Sequence, residues 1–332
     1  MPGYNVRPAR TCLPRERESL VGRSQRTFVI LAAVFLVMAL GSEAWAWGPA
    51  THIKLAGDLL ANLWLLPAGV AALIARNRRF FVYGNVATDT VFAKKMSRTK
   101  QICHRWETGF SLLSSAETSS GRAFAYGYLA HLAADTVAHN KFLPRQMALS
   151  RSTVALGHLY WEIRADAPIG REHWSHLRTR LRGHYTEPER LLEAHLRETM
   201  LSFRTNRLLF KRMNLLASEQ AWRRSVEWWS RLSRHQLDPV ILGQYHAEAI
   251  DRIADVLSRE TSSGVVQEDP NGNAALAYAR TQCRQLRQMK RAHMPFGHVL
   301  AEVTAASAPR PGGLGGSGRP EAPQPAGMAA GG

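Results

Sequence analysis

The chain has 332 residues, 45% of them hydrophobic and 21% charged, with 43 Lys and Arg against 26 Asp and Glu. That balance supports a packed core and excludes a wholly disordered chain or a multi-span membrane protein. Three cysteines are too few for a disulfide framework, whereas thirteen histidines are a compositional oddity whose positions matter more than their number.

Residues 1–46 read as a targeting segment. Six arginines (Arg7, Arg10, Arg15, Arg17, Arg23 and Arg26) precede an apolar run from Phe28 to Leu40, and Ala44-Trp-Ala46 then forms an A-x-A cleavage site. Thirteen apolar residues are short for a membrane span, which needs roughly 20, and suit a signal-peptide core. An uncleaved membrane anchor is the competing reading. Cleavage after Ala46 exports the chain to the periplasm or the extracellular space and leaves Trp47 with a free α-amine. Without the leader's six arginines and three acids, the 43 basic and 26 acidic residues become 37 and 23, a net charge of +14. Such a charge favours anionic partners, phospholipid headgroups or nucleic acid, without choosing between them. Cys12 leaves with the leader; whether Cys103 and Cys283 pair is not fixed by their spacing.

From Trp47 onward the apolar residues follow helical spacing, as in Leu55, Leu59, Leu60 and Leu63, and later in Ile250, Ile253, Ala254 and Val256. No run alternates in the manner of a strand. Breaks are expected at Pro67, Asn85, 114–121, 168–170, Pro188, Pro239 and 262–273, which gives eight to ten helices. The expected fold is therefore all-α, a single multi-helix domain over 47–300, followed by a disordered tail rich in Pro, Gly and Ala over 301–332.

The most informative stretch is Tyr126-Gly-Tyr-Leu-Ala-His131-Leu-Ala-Ala-Asp135-Thr-Val-Ala-His139. On a regular helix His131, Asp135 and His139 fall at i, i+4 and i+8 and share one face. Three ligand-type residues along an otherwise apolar helix would each need a buried partner, so a shared metal is the simpler account. Imidazole with carboxylate suits zinc and similar divalent ions. His158 and Glu162 form a second i, i+4 pair. His52, Asp89 and His104 bring the set to eight donor side chains, enough for two or three ions.

This ordered set resembles the zinc-dependent phospholipase C/D domain family, which includes bacterial phospholipase C and the amino-terminal domain of glycosylphosphatidylinositol-specific phospholipase D. Single-strand-specific zinc nucleases are more distant relatives. The resemblance covers about residues 47–166. The bacterial phospholipases and nucleases have an interval two residues longer where this chain runs from Asp135 to His139. The phospholipase D relative begins with Cys where this chain has Trp47. The resemblance implies a metal cluster in a cleft between helices, with two or three Zn2+ ions. One would be held by Asp89, His104, His131 and Asp135, a second by His139, His158 and Glu162. A third would be held by the terminal amine and carbonyl of Trp47 with His52 and a bridging Asp135. It further implies hydrolysis of a phospholipid or related phosphodiester by metal-activated water, with Asp89 as the catalytic residue that orients or deprotonates that water. Peripheral contact with a membrane surface fits the basic charge. Two other readings remain: a secreted single-strand nuclease that stacks bases on Trp106 and Trp161, and a catalytically silent zinc-stabilised module that binds membranes.

Overall fold

Apart from Ser119, Ser120, Arg122, His131, Asp135 and Thr136, residues 119–137 are apolar or glycine around the whole helix, and such a helix has to lie inside the protein. In the computed structural model, which describes residues 47–90, 102–151, 155–195, 205, 208 and 235–310, this segment is helix α5 (Ser119–Val137). Every residue from Ala123 to Val137 is buried. Thr118 caps it by accepting a hydrogen bond from the Gly121 amide.

Around this axis pack α1 (Pro49–Ala61), α2 (Ala68–Arg76), α3 (Arg78–Ala87), α4 (Trp106–Ser114) and α9 (Thr186–His195). On the far side lies α10 (Pro239–Arg259), which Asp238 caps by accepting from Val240 and Ile241. A π-helical turn, Ala138–Phe142, joins α5 to α6 (Leu143–Ser150). α7 (Ala155–Asp166) and α8 (Arg171–Arg182) follow, and α11 (Asn273–Arg291) and α12 (Gly297–Ala306) pack on α6. Among the described residues there are no strands, and the fold is all-α as expected.

The expected boundaries hold unevenly. Helix breaks do fall near Pro67, 114–121, 168–170 and Pro239, but twelve α-helices are described where eight to ten were expected. Asn85 does not break α3. Its amide donates to the Phe81 carbonyl at 3.1 Å, one turn back, so the side chain continues the helical bonding instead of competing with it. The break lies at Asn77. Pro188 stands in the first turn of α9, where a missing N–H does no harm. The tail does not begin at 301, because α12 runs to Ala306 and buries Val299 and Val303, four residues apart on one face. The leader and residues 311–332 lie outside the described residues. No described helix is long and apolar enough to cross a membrane.

The crossing of α3 and α5 sets the site. A Cβ on Gly127 would lie 2.0 Å from the Phe81 carbonyl oxygen, and one on Gly84 would lie 2.2 Å from that of Phe124. Backbone therefore touches backbone, which only glycine permits. Gly84 precedes Asn85, and Gly127 lies one turn before His131, so the contact brings the donor-bearing ends of both helices together. Replacing Gly127 by Ala is expected to cost at least about 1–3 kcal/mol in urea unfolding, from overpacking. The same change at Gly57, an exposed position in α1 with nothing near its Cβ, should instead stabilise by about 0.5–1 kcal/mol. Equal effects at the two positions would contradict the close crossing.

Candidate metal centre

Five side chains from four segments meet at the end of α5. Asp89 comes from the 3₁₀ turn Thr88–Thr90 that extends α3, and His104 from the turn Ile102–His104 ahead of α4. His131 and Asp135 lie on α5, and His52 lies in the first turns of α1. All five are at least 98% buried.

Their distances are informative. His104 Nε2 lies 3.3 Å from Asp89 Oδ1 and 3.4 Å from Asp135 Oδ2. His131 Nε2 lies 3.8 Å from Asp89 Oδ1 and 3.2 Å from Asp135 Oδ2. The two Nε2 atoms are 3.2 Å apart. Four ligands at zinc bond lengths of about 2.0–2.1 Å in a tetrahedron are separated by about 3.4 Å. Five of the six edges joining these four atoms thus cluster around that value. The other carboxylate oxygen of Asp135, Oδ1, faces His52 Nε2 at 3.4 Å. Asp135 therefore stands between the His104–His131 pair on one side and His52 on the other.

Protonation states follow from the neighbours. His131 Nδ1 lies 2.7 Å from the Asn85 carbonyl oxygen, which can only accept, so Nδ1 carries the proton. Burial, the largest cause, and the neighbouring His52 lower the His131 pKa against the pull of the two aspartates, and the ring is neutral with its lone pair on Nε2. Burial opposes ionisation of Asp135; positive charge on His131 and hydrogen bonds from His131, His104 and His52 would hold the carboxyl well below the ordinary range, and where those rings are neutral a cation has to supply that charge. The Nε2 lone pair of His131 thus faces the Asp135 carboxylate at 3.2 Å. Asp135 Oδ1 and both nitrogens of His52 have no hydrogen-bond partner among the described residues. A cation is the species such a set accommodates, and imidazole with carboxylate fits zinc.

The other expected residues are placed less completely. His139 is buried, but it sits in the π-helical turn, its Nδ1 4.0 Å from Asp135 Oδ2, and belongs to neither trio of closely spaced donors. The π-helical turn at His139 has a physical reason. Pro144, just beyond, lacks an N–H and would crowd the Asn140 carbonyl in a tight helix. The chain widens to i→i+5 bonding, with Leu143 N–H donating to the Ala138 carbonyl. Glu162 is buried on α7, and the side chain of His158, on the same helix, lies outside the described residues. Trp47 is fully buried, its ring edge-on to His52 with centroids 6.5 Å apart and to His246 at 5.3 Å. Cys103 and Cys283 are both buried and are not joined to each other in a disulfide.

Sequence reasoning passed over Asp166. This buried residue, one turn beyond Glu162, accepts hydrogen bonds from the Ala50 amide (3.1 Å), the Thr51 amide (3.0 Å) and the Thr51 hydroxyl (2.5 Å). It supplies from another helix the cap that Gly48 cannot give α1, and it fixes the segment carrying Trp47 and His52. Gly48 permits the approach, since a Cβ there would lie 2.2 Å from Asp166 Oδ2. The i, i+4 spacing from Glu162 was the one signal in the sequence.

A family model described as zinc dependent phospholipase C matches residues 51–219, just over half of the chain. The chain belongs to the zinc-dependent phospholipase C family. No curated protein and no solved structure matches it significantly. The matched segment carries His52, Asp89, His104, His131, Asp135, His139, His158 and Glu162; it ends before α10.

Burial raises the Asp166 carboxyl to about 6, against the three hydrogen bonds and the charge of His52 that pull it down. A carboxyl raised in the folded state contributes stability below its unfolded pKa of about 3.9, and that contribution is lost as pH climbs through the folded value. In urea unfolding with EDTA, the wild type should therefore lose up to about 3 kcal/mol relative to Asp166→Asn between pH 4 and pH 7. A difference between the two proteins that does not change with pH would contradict the assignment.

Proposed function

We propose that the protein is an exported zinc-dependent phosphodiesterase that hydrolyses phospholipids. The observation that carries the reading is the set of five donor separations of 3.2–3.8 Å among Asp89, His104, His131 and Asp135, together with the family.

These four residues would hold one zinc ion. His139, His158 and Glu162 would hold a second. Trp47 and His52 would hold a third, with Asp135 shared between the first and third. When bound, zinc would supply Lewis acidity, making water acidic near neutral pH and offsetting the charge of a phosphodiester. The chain's own tasks are positional and electrostatic. Asp135, ionised between two donor sets, ties them into one unit. Asp89 is the catalytic residue: it would orient the attacking water in line with the leaving oxygen and take its proton. His104 and His131 flank Asp89, with their Nε2 atoms 3.3 and 3.8 Å from its Oδ1.

Export would serve the same chemistry. Signal-peptide cleavage after Ala46 would turn the Trp47 nitrogen from an amide, which has no available lone pair, into an amine that can ligate. The basic mature charge would favour an anionic membrane surface. The nuclease alternative loses its aromatic platform, since Trp106 and Trp161 are both buried and Trp106 Nε1 donates to the Glu268 carbonyl. A silent zinc-stabilised module remains distinguishable by experiment.

The chain from Trp47, loaded with zinc, should cleave fluorescent phosphatidylcholine or phosphatidylinositol in preference to single-stranded DNA. EDTA should abolish turnover while leaving the helical circular dichroism intact; global unfolding on chelation would support the structural-zinc module instead. Asp135→Asn should lower turnover by more than the roughly 100-fold that loss of an outer-shell partner costs, and near-normal turnover would refute its shared position.

A further inference from the structure

The turn 268–273, Glu-Asp-Pro-Asn-Gly-Asn, lies beyond the segment the family model matches. It nevertheless touches two of the segments that carry candidate ligands. The Pro270 carbonyl lies 2.7 Å from His139 Nδ1. The Asn271 side chain donates to the His104 carbonyl at 2.8 Å. On either side the grip is repeated: Trp106 Nε1 donates to the Glu268 carbonyl at 2.8 Å and Asn140 to the Asp269 carbonyl at 3.0 Å. Arg252 on α10 links the Glu268 carboxylate to the Thr136 hydroxyl on α5.

From these contacts we propose that the turn 268–273 is a positioning element of the metal centre, which selects the tautomer of His139 and anchors the backbone at His104. This rests on the zinc reading of the site above. A carbonyl can only accept, so the contact with Pro270 places the proton of a neutral His139 on Nδ1 and leaves the lone pair on Nε2. Hydrogen bonding through the other ring nitrogen is how a histidine ligand is oriented for its metal.

The turn is built to hold that carbonyl in place. Asp269 accepts from the amides of Asn271 and Asn273 and from both of their side chains. Those donors outweigh burial and keep the carboxyl below its ordinary range. Gly272 has φ +60°, and a Cβ there would lie 2.6 Å from His139 Cβ and 2.7 Å from the His139 carbonyl oxygen. Both the left-handed backbone and the close approach require glycine. A larger residue has to push the turn away from His139.

The test reads the chain without turnover. Nitrogen-15 NMR of histidine in the zinc-free wild type should show His139 protonated at Nδ1. Gly272→Ala should relax it towards the Nε2–H form that imidazole favours in water. In a zinc titration against a chromophoric chelator, Gly272→Ala and Asn271→Ala should each weaken binding of the most weakly held ion by about 10–100-fold. Gly264→Ala, which adds the same methyl where nothing lies within 4 Å, should leave both readouts unchanged. Nε2–H at His139 in the wild type would overturn the proposal whether or not Gly272→Ala folds. Zinc binding by Asn271→Ala and Gly272→Ala at wild-type affinity would do so too. A chain that shows the expected pattern yet hydrolyses no lipid counts against the phospholipase reading alone.

Discussion

A carboxylate buried among three imidazoles is the constraint on which the rest depends. Asp135 is 1% exposed, and His104, His131 and His52 surround it at 3.2–3.4 Å. With the His131 proton committed to the Asn85 carbonyl, its Nε2 lone pair faces the Asp135 carboxylate, and removing such a pair from water is expensive without a compensating cation. Much of the fold can be understood as the means of enforcing this convergence. The glycine crossing of α3 and α5 brings Asn85 and Asp89 to His131. The small residues Ala130, Ala133, Ala134 and Ala138 let neighbouring helices close on the donor face.

Local pattern made part of this legible in the sequence. The apolar character of 123–137, broken only by His131, Asp135 and Thr136, announces a buried helix, and His131 with Asp135, one turn apart on it, needs no tertiary information to be placed together. The all-α class follows from the same periodicity. Asp89 and His104 meet that pair only through tertiary packing, so their grouping was reachable through the ordered family pattern and not through spacing. His139 lies 4.0 Å from Asp135 at i+4, but the π-helical turn in which it sits left no trace in the spacing; Pro144, just beyond, is the residue that marks it. Asn85 looked like a break because its side chain can compete with the backbone; in the folded helix it bonds one turn back and leaves its carbonyl for His131.

The supporting contacts were the least visible. Asp166 and the turn 268–273 act on residues more than a hundred positions away, through backbone amides and carbonyls that leave no residue-type signature. Both nevertheless bear on the same centre. Asp166 fixes the start of α1, which carries His52 and follows Trp47. The turn grips the strand-free segments around His104 and His139. The described end of α5 is thus held by elements from the start, the middle and the C-terminal third of the chain, a distribution that makes the centre a property of the whole fold.

X-ray absorption at the zinc edge tests the central claim most directly. If the buried imidazoles and carboxylates are the ligands, the first shell contains only nitrogen and oxygen at about 2.0–2.2 Å. A sulfur shell near 2.3 Å, from the Cys103 thiol that lies 3.4 Å from His104 Nδ1, would contradict that claim, as would a chain that retains no zinc.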